Sequence, residues 1–124
     1  MKKKIILKSK CGYPERRWVQ FLLLRVIYEK PSYGYEIIKK TEKITDNYHK
    51  IKTGTAYTLL RRMEKEGLLK SDWKKNKQGP NKRIYTVTPK GKGHLKAWLK
   101  MIIQRKKMIN KMVSFYKKHF RDKN

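Results

Sequence analysis

Residues 53–88 leave this chain few folds to adopt. The stretch Thr53-Gly54-Thr55-Ala56-Tyr57-Thr58-Leu59-Leu60-Arg61-Arg62-Met63-Glu64-Lys65-Glu66-Gly67 runs directly into two β-type segments. Ala56, Leu59, Leu60 and Met63 stand at i, i+3, i+4 and i+7, the spacing of one helix face. Thr55, Thr58, Arg61, Arg62 and Lys65 are left on the outer side. Thr53 is expected to cap the helix and Gly67 to end it as a left-handed residue. Leu68–Trp73 and Arg83–Thr88 read as the strands of a hairpin, the second rich in β-branched and aromatic residues. The tip between them, with Lys74, Lys75, Lys77, Lys82 and Arg83 around Gly79-Pro80, is a cationic turn.

A helix with outward arginines followed by a basic hairpin predicts a winged helix, in which the helix enters the major groove of duplex DNA and the hairpin follows the backbone. The charge points to the same class of partner. Lys and Arg number 35 against 9 Asp and Glu, a formal net charge of +26, so the chain repels itself and attracts polyanions. The excess is spread out: five lysines in residues 1–10, five basic residues in 74–83, and twelve basic against one acidic in 89–124.

Residues 1–13 read as a basic arm whose Lys2, Lys3 and Lys4 could reach a DNA backbone. Only Ile5, Ile6 and Leu7 follow those lysines, against the roughly 7–15 apolar residues of an export signal. No run approaches the roughly 18 apolar residues of a membrane span. With Cys11 as the single cysteine no intrachain disulfide can form, which fits a cytoplasmic protein. A first helix is expected over Glu15–Glu29, with Pro14 at its start. Apolar nearly all round, it is either a central core helix or one shared with a second subunit. Lys30-Pro31 breaks the chain, Ser32 is the candidate cap for a second helix over Tyr33–Lys43, and Thr45-Asp46-Asn47 is loop.

A long fourth helix is expected from about Gly91 to Lys118. Its apolar arc is wider than a two-stranded seam needs, and lysines crowd the opposite side. A helix this long has no core of its own chain to cover that arc, so it should pack on a partner subunit. The dimerisation set is Trp18, Leu22, Leu95, Trp98, Leu99, Ile102, Ile109, Met112, Val113 and Tyr116. The expected organisation is thus an arm over 1–13, a winged-helix domain over 14–89, and a dimerisation helix with a basic tail over 90–124. The fold class is mainly α with a small β-hairpin.

Three motifs carry a family resemblance: Pro31-Ser32-Tyr33-Gly34-Tyr35-Glu36-Ile37; Gly54-Thr55-Ala56-Tyr57 with Leu60, Arg62, Glu64 and Glu66-Gly67-Leu68-Leu69; and Arg83-Ile84-Tyr85-Thr86-Val87-Thr88-Pro89-Lys90-Gly91. Over residues 15–120 the chain resembles the PadR family of transcriptional regulators, in its short form with one C-terminal helix. The resemblance implies a homodimer, usually a repressor, formed by the C-terminal helix against the partner's first helix. It also implies a backbone contact from the Tyr57 hydroxyl, and in some members a small aromatic effector near a tryptophan, here Trp98. The charge of +26 is well above what the resemblance implies, and Trp98 stands earlier on its helix than the pocket tryptophan would.

The DNA-binding candidates are therefore Thr53, Thr55, Tyr57, Thr58, Arg61 and Arg62 on the helix, and Lys75, Lys77, Gly79, Lys82 and Arg83 on the wing. Thr53 or Thr55 with the free N–H groups of the helix start suits a phosphate. Arg61 is the better base reader, since arginine pairs with guanine O6 and N7. Two readings stand for Arg62: a base contact, or an i, i+4 pair with Glu66 on a solvated face. Tyr57 is either the backbone contact or a core aromatic, and Trp98 either a core residue or part of an effector pocket. His49, His94 and His119 are scattered, Ser71 and Asp72 have no histidine nearby, and no Gly-rich phosphate loop is present. No enzyme, cofactor or metal is expected. Three rivals keep some of these features: a sequence-tolerant architectural or partition-type DNA binder, a membrane-surface helix, and an RNA binder, which would lack a stacking platform.

Overall fold

The computed structural model describes residues 17–45, 50–75 and 77–121. The arm with Lys2, Lys3, Lys4 and Cys11, the expected helix start at Pro14 and Glu15, loop residues Asp46 and Asn47, and His49 lie outside the described residues.

Helix α1 covers residues 17–29 and is the central helix of the core: Leu22, Leu23, Leu24, Val26 and Ile27 are all buried within the chain. Pro31 ends it, and Ser32–Tyr33 form a short strand β1. The sequence predicts only a hairpin; β1 adds a third strand, antiparallel to β3, with Ser32 opposite Tyr85 and Tyr33 opposite Ile84. Two residues are too few to show a strand period, so only the partner strand reveals them. The cap of the next helix moves accordingly. Ser32 is buried in β1 and its hydroxyl donates to the Lys30 carbonyl at 2.9 Å, while Tyr33 takes the cap position and donates its N–H to Glu36 Oε1 at 3.3 Å.

Helix α2, Gly34–Ile44, buries Gly34, Ile37, Ile38 and Thr41. Gly34 is required by a close approach: a Cβ there would run into the ring of Tyr57. Helix α3, Thr53–Lys65, buries the expected stripe of Ala56, Leu59, Leu60 and Met63. Leu59, Leu60 and Met63 each contribute about 1.5–3 kcal/mol relative to an exposed side chain, and the Ala56 methyl less than about 1 kcal/mol. The expected cap is corrected here. Lys52, in extended conformation, precedes the first turn, and Thr53 is already helical, with no side-chain hydrogen bond closing the end. Gly67 ends α3 at φ 83, as expected, with Leu68 N–H donating back to the Met63 carbonyl at 2.8 Å.

Strands β2, Leu69–Lys74, and β3, Lys82–Val87, pair antiparallel from Leu69 opposite Val87 to Lys74 opposite Lys82, giving the sheet order β1-β3-β2. Each strand sits one residue away from its sequence assignment. Helix α4 runs over Pro89–His119, starting two residues before the expected Gly91. Thr88 is the reason: its hydroxyl accepts from Gly91 N–H at 3.1 Å, so Pro89 occupies the first turn, where it needs no N–H partner. The same hydroxyl donates to the Gly67 carbonyl at 2.6 Å, and Thr88 N–H donates to the Leu68 carbonyl at 3.1 Å. Gly91 lies so close to the Leu68 carbonyl that a Cβ could not fit. One core results, in which Leu23, Leu24 and Ile27 of α1 meet Ile37, Leu60, Met63, Leu68, Leu69, Tyr85 and Leu95. No helix among the described residues is long and apolar enough to cross a membrane, and none of their His, Cys, Asp and Glu side chains group as a metal site.

Two glycines of α4 should answer oppositely to alanine. Gly91→Ala is expected to lower stability by about 1–3 kcal/mol in urea denaturation, because the clash is with backbone. Gly93→Ala, with open space around it, should raise stability by up to about 1 kcal/mol. Equal effects at the two positions would refute the α3–α4 contact.

Tyr85, 3% exposed, supplies a pH test. Burial pushes its hydroxyl above the ordinary tyrosine value of 10.0, with the nearby Arg83 opposing the rise. A folded pKa above the unfolded one means that this contribution is complete below about pH 10 and is lost as pH rises through the folded value. In a tyrosinate absorbance titration of the folded protein, a lagging component is expected from Tyr85, and it should vanish in Tyr85→Phe. Superimposable curves for the two proteins would contradict the burial.

Candidate nucleic-acid interface

Burying Ala56, Leu59, Leu60 and Met63 fixes the rotation of α3, so Thr53, Thr55, Thr58, Arg61, Arg62 and Lys65 all face solvent. Thr58 Oγ1 donates back to the Gly54 carbonyl at 2.8 Å, leaving its lone pairs outward. Tyr57 is half-buried: its ring packs against Gly34 of α2 and also lines the outer cleft.

That cleft, of about 690 Å³, opens between the start of α2, the outer side of α3 and the wing. Its wall holds Tyr33, Tyr35, Tyr57, Trp73 and Tyr85 together with Arg61, Asn81, Lys82 and Arg83, and no carboxylate among the described residues. Cations sit over several of the rings. Lys82 Nζ lies 4.2 Å from the Tyr33 ring centre, and the Arg83 guanidinium lies 5.5 Å from Trp73 and 5.9 Å from Tyr85. A wall of this composition favours a phosphodiester chain with its sugars over a neutral or cationic ligand.

The wing is fixed to α3 by one polar cluster. Arg83 Nη2 pairs with Glu64 Oε1 at 3.3 Å, Arg83 Nε donates to Ser71 Oγ at 2.8 Å, and Ser71 Oγ donates to Glu64 Oε2 at 2.7 Å. The sequence assigns Arg83 to the wing's DNA contacts; the structure places it where it also orients β2 and β3 against α3. Partly exposed ion pairs contribute little, so the cluster matters for geometry more than for stability. The Arg62–Glu66 alternative is not formed among the described residues. Arg62 instead lines a shallow concavity with Lys52, Gly54, Thr55 and Thr58. Lys75, Lys77 and Gly79 are exposed in the turn, and Lys82 begins β3.

Sequence reasoning missed Tyr33, Tyr35 and Trp73 as cleft residues, and Glu64 and Ser71 as the partners of Arg83. A signal for Trp73 was present: strand alternation puts Leu69, Ser71 and Trp73 on one side of β2, the side facing α3. A tryptophan 66% exposed at that position is no core residue. For the others the information lies in which elements meet.

The candidate dimerisation residues divide into two groups. Leu22 and Leu95 are buried in the chain's own core. Trp98 stacks on Phe21, with centroids 4.6 Å apart at 4°, and meets Trp18 edge-on at 4.9 Å. Beyond this contact α4 projects past the core with Leu99, Ile109, Met112, Val113 and Tyr116 exposed and Ile102 half-buried; Ile103, Met108 and Phe115 join them.

Residues 23–97, more than half of the chain, match the family model described as "Transcriptional regulator PadR-like family". The chain is 32% identical over 89 residues to an uncharacterized protein of Lysinibacillus sphaericus, covering 72% of this chain and 82% of that one. Among solved structures, it is similar to a transcriptional regulator of Clostridium thermocellum at TM-score 0.69 and 35% identity, covering 79% of this chain and 92% of the other. A PadR family transcription regulator of Clostridium difficile superposes at 0.66 with 30% identity, over 77% and 98%. The fold is also that of Bacillus subtilis PadR, solved in complex with operator DNA, at TM-score 0.59 and 22% identity over 64% and 45%. With the fold, the motifs and the matched span in agreement, this chain belongs to the PadR-like family of transcriptional regulators.

Proposed function

We propose that the protein is a homodimeric repressor that binds a two-fold symmetric operator in the cytoplasm. The observation that carries this reading is the cationic face made by Arg61 and Arg62 of α3, the cleft wall and the wing, where Glu64 is paired with Arg83. In this reading α3 lies in the major groove. Its free N–H groups with Thr53 and Thr55 hold a phosphate, the Tyr57 hydroxyl contacts the backbone, and Thr58, Arg61 and Arg62 reach base edges. Lys75, Lys77 and Lys82 follow the backbone of the neighbouring groove, with Gly79 shaping the turn that carries them. The B. subtilis protein of the same fold is solved in complex with operator DNA, which supports duplex DNA as the partner.

The exposed apolar side of α4 supports the dimer. Ile109, Met112, Val113 and Tyr116 are each more than two-fifths exposed in the single chain. An apolar row of this size along a projecting helix is the kind of patch that a partner covers. Two-fold pairing through α4 and the Trp18 side of α1 would set two reading helices on one face of a duplex.

Removing the Arg61 guanidinium should cost about 1–3 kcal/mol at the base pair it reads, so Arg61→Ala is expected to weaken operator binding by roughly tenfold to a hundredfold. Lys75→Ala should weaken all sequences alike and flatten the salt dependence by about one unit, the share of a single phosphate. Footprinting of source-genome fragments, beginning upstream of the protein's own coding region, provides the site for both titrations. Unchanged protection by the double variant would refute the assignment. For the dimer, Ile109→Glu with Met112→Glu is expected to shift sedimentation from two chains to one while the far-ultraviolet helical signal is largely kept; a dimer that persists would place the interface elsewhere.

A further inference from the structure

The interface above leaves most of the chain's charge unexplained. Helix α4 alone carries ten Lys and Arg residues and no Asp or Glu. Long surface helices ordinarily offset such charges with carboxylates three or four residues away. Here Lys96/Lys100 and Lys107/Lys111 are like-charge pairs at i, i+4, which weaken the helix that holds them.

Five of these lysines form an ordered row. Lys96, Lys100, Lys107, Lys111 and Lys118 fall within an arc of about 60° at about 100° per residue, and all five are exposed. Among the described residues none of them is in a hydrogen bond or ion pair. From Lys96 to Lys118 the row measures about 33 Å at 1.5 Å per residue, close to the roughly 34 Å of one duplex turn. It also lies about 160° around the helix from Trp98, Ile109, Met112 and Tyr116, so a partner seated on those four leaves the row in solvent, with Ile103 about 20° from its Lys96 edge.

We propose that this row is a second, sequence-tolerant surface for duplex DNA, and that the protein bridges two duplex segments, one held by α3 and the wing and the other by the back of α4. Lysine suits the role: it is a compact charge on a flexible stem that meets phosphates without selecting bases. A membrane surface fits the geometry less well. With the apolar arc covered by the partner subunit of the proposed dimer, no apolar face is left to enter lipid. The second surface stands on the row alone, whereas bridging also rests on the proposed reading face.

The test uses the full chain and two random-sequence duplexes, one captured on a solid support and one fluorescent. The wild-type protein should recruit the fluorescent duplex to the captured one. Changing all five lysines to glutamine keeps helix-forming residues while removing the charge. Recruitment should then fall at least tenfold, with the protein still retained on the captured duplex. Lysine-to-arginine changes at the same five positions should restore recruitment, which separates loss of charge from loss of fold. Arg61→Ala with Lys75→Ala should lower recruitment while leaving single-duplex binding through the row. If that double variant bridges as well as wild type, the α3–wing reading fails while the row survives. Undiminished recruitment by the glutamine variant would overturn the proposal. So would loss of its binding to anionic phosphatidylserine vesicles, or to double-stranded RNA, with bridging of DNA intact.

Discussion

The structure turns on the place where α3 ends and α4 begins. Gly67 takes φ 83 to end the recognition helix, and its carbonyl accepts the Thr88 hydroxyl, which in turn caps α4 through Gly91 N–H. Lys90 Nζ donates to the Glu66 carbonyl at 2.9 Å, satisfying one of the carbonyls left open at the end of α3. Because Gly91 has no side chain, the two backbones approach as closely as the Leu68 carbonyl permits. Three elements meet at this junction: the reading helix, the strands of the wing and the projecting helix. Their angles are set by hydrogen bonds between backbone and one threonine, which have far less freedom than a contact between long side chains. The positions of the arginines and of the exposed apolar row follow from it.

Charge is the second theme, and its arrangement matters more than its amount. A chain with 35 basic and 9 acidic residues cannot neutralise itself, and three of its carboxylates hold local contacts that shape the fold. Glu64 turns Arg83 inward as a brace for the wing, Glu36 closes the start of α2, and Glu42 Oε2 accepts the Ile51 N–H at 3.4 Å at the entrance to α3. Carboxylates thus serve the joints of the fold, and the cleft wall and all of α4 are left without one. Two separated cationic surfaces result, one shaped and rich in aromatic rings, the other a plain row of lysines.

Reading the chain as a string recovered its local features well. The apolar spacing of α3, the left-handed glycine after it, the two strands and the long last helix all depend on residues close in sequence, and periodicity reports such features directly. Local signals also misplaced some ends. Thr53 and Ser32 carry the right side chains for caps, but one became the first helical residue and the other a buried strand residue. Ser32 was claimed by β3, more than fifty residues later, whose unpaired edge offered more backbone hydrogen bonds than a single hydroxyl could.

The sequence by itself determined the order of the helices and of the two wing strands, the winged-helix class, the identity of the outward arginines and the family, because each is written in short-range spacing or in motifs of contiguous residues. Only the tertiary structure decided that Leu22 and Leu95 belong to the chain's own core, that Arg83 is tied to Glu64 and Ser71, and that Tyr33, Tyr35 and Trp73 share one cleft. Those outcomes depend on which faces meet after folding, and the distances involved are between residues that no local period connects.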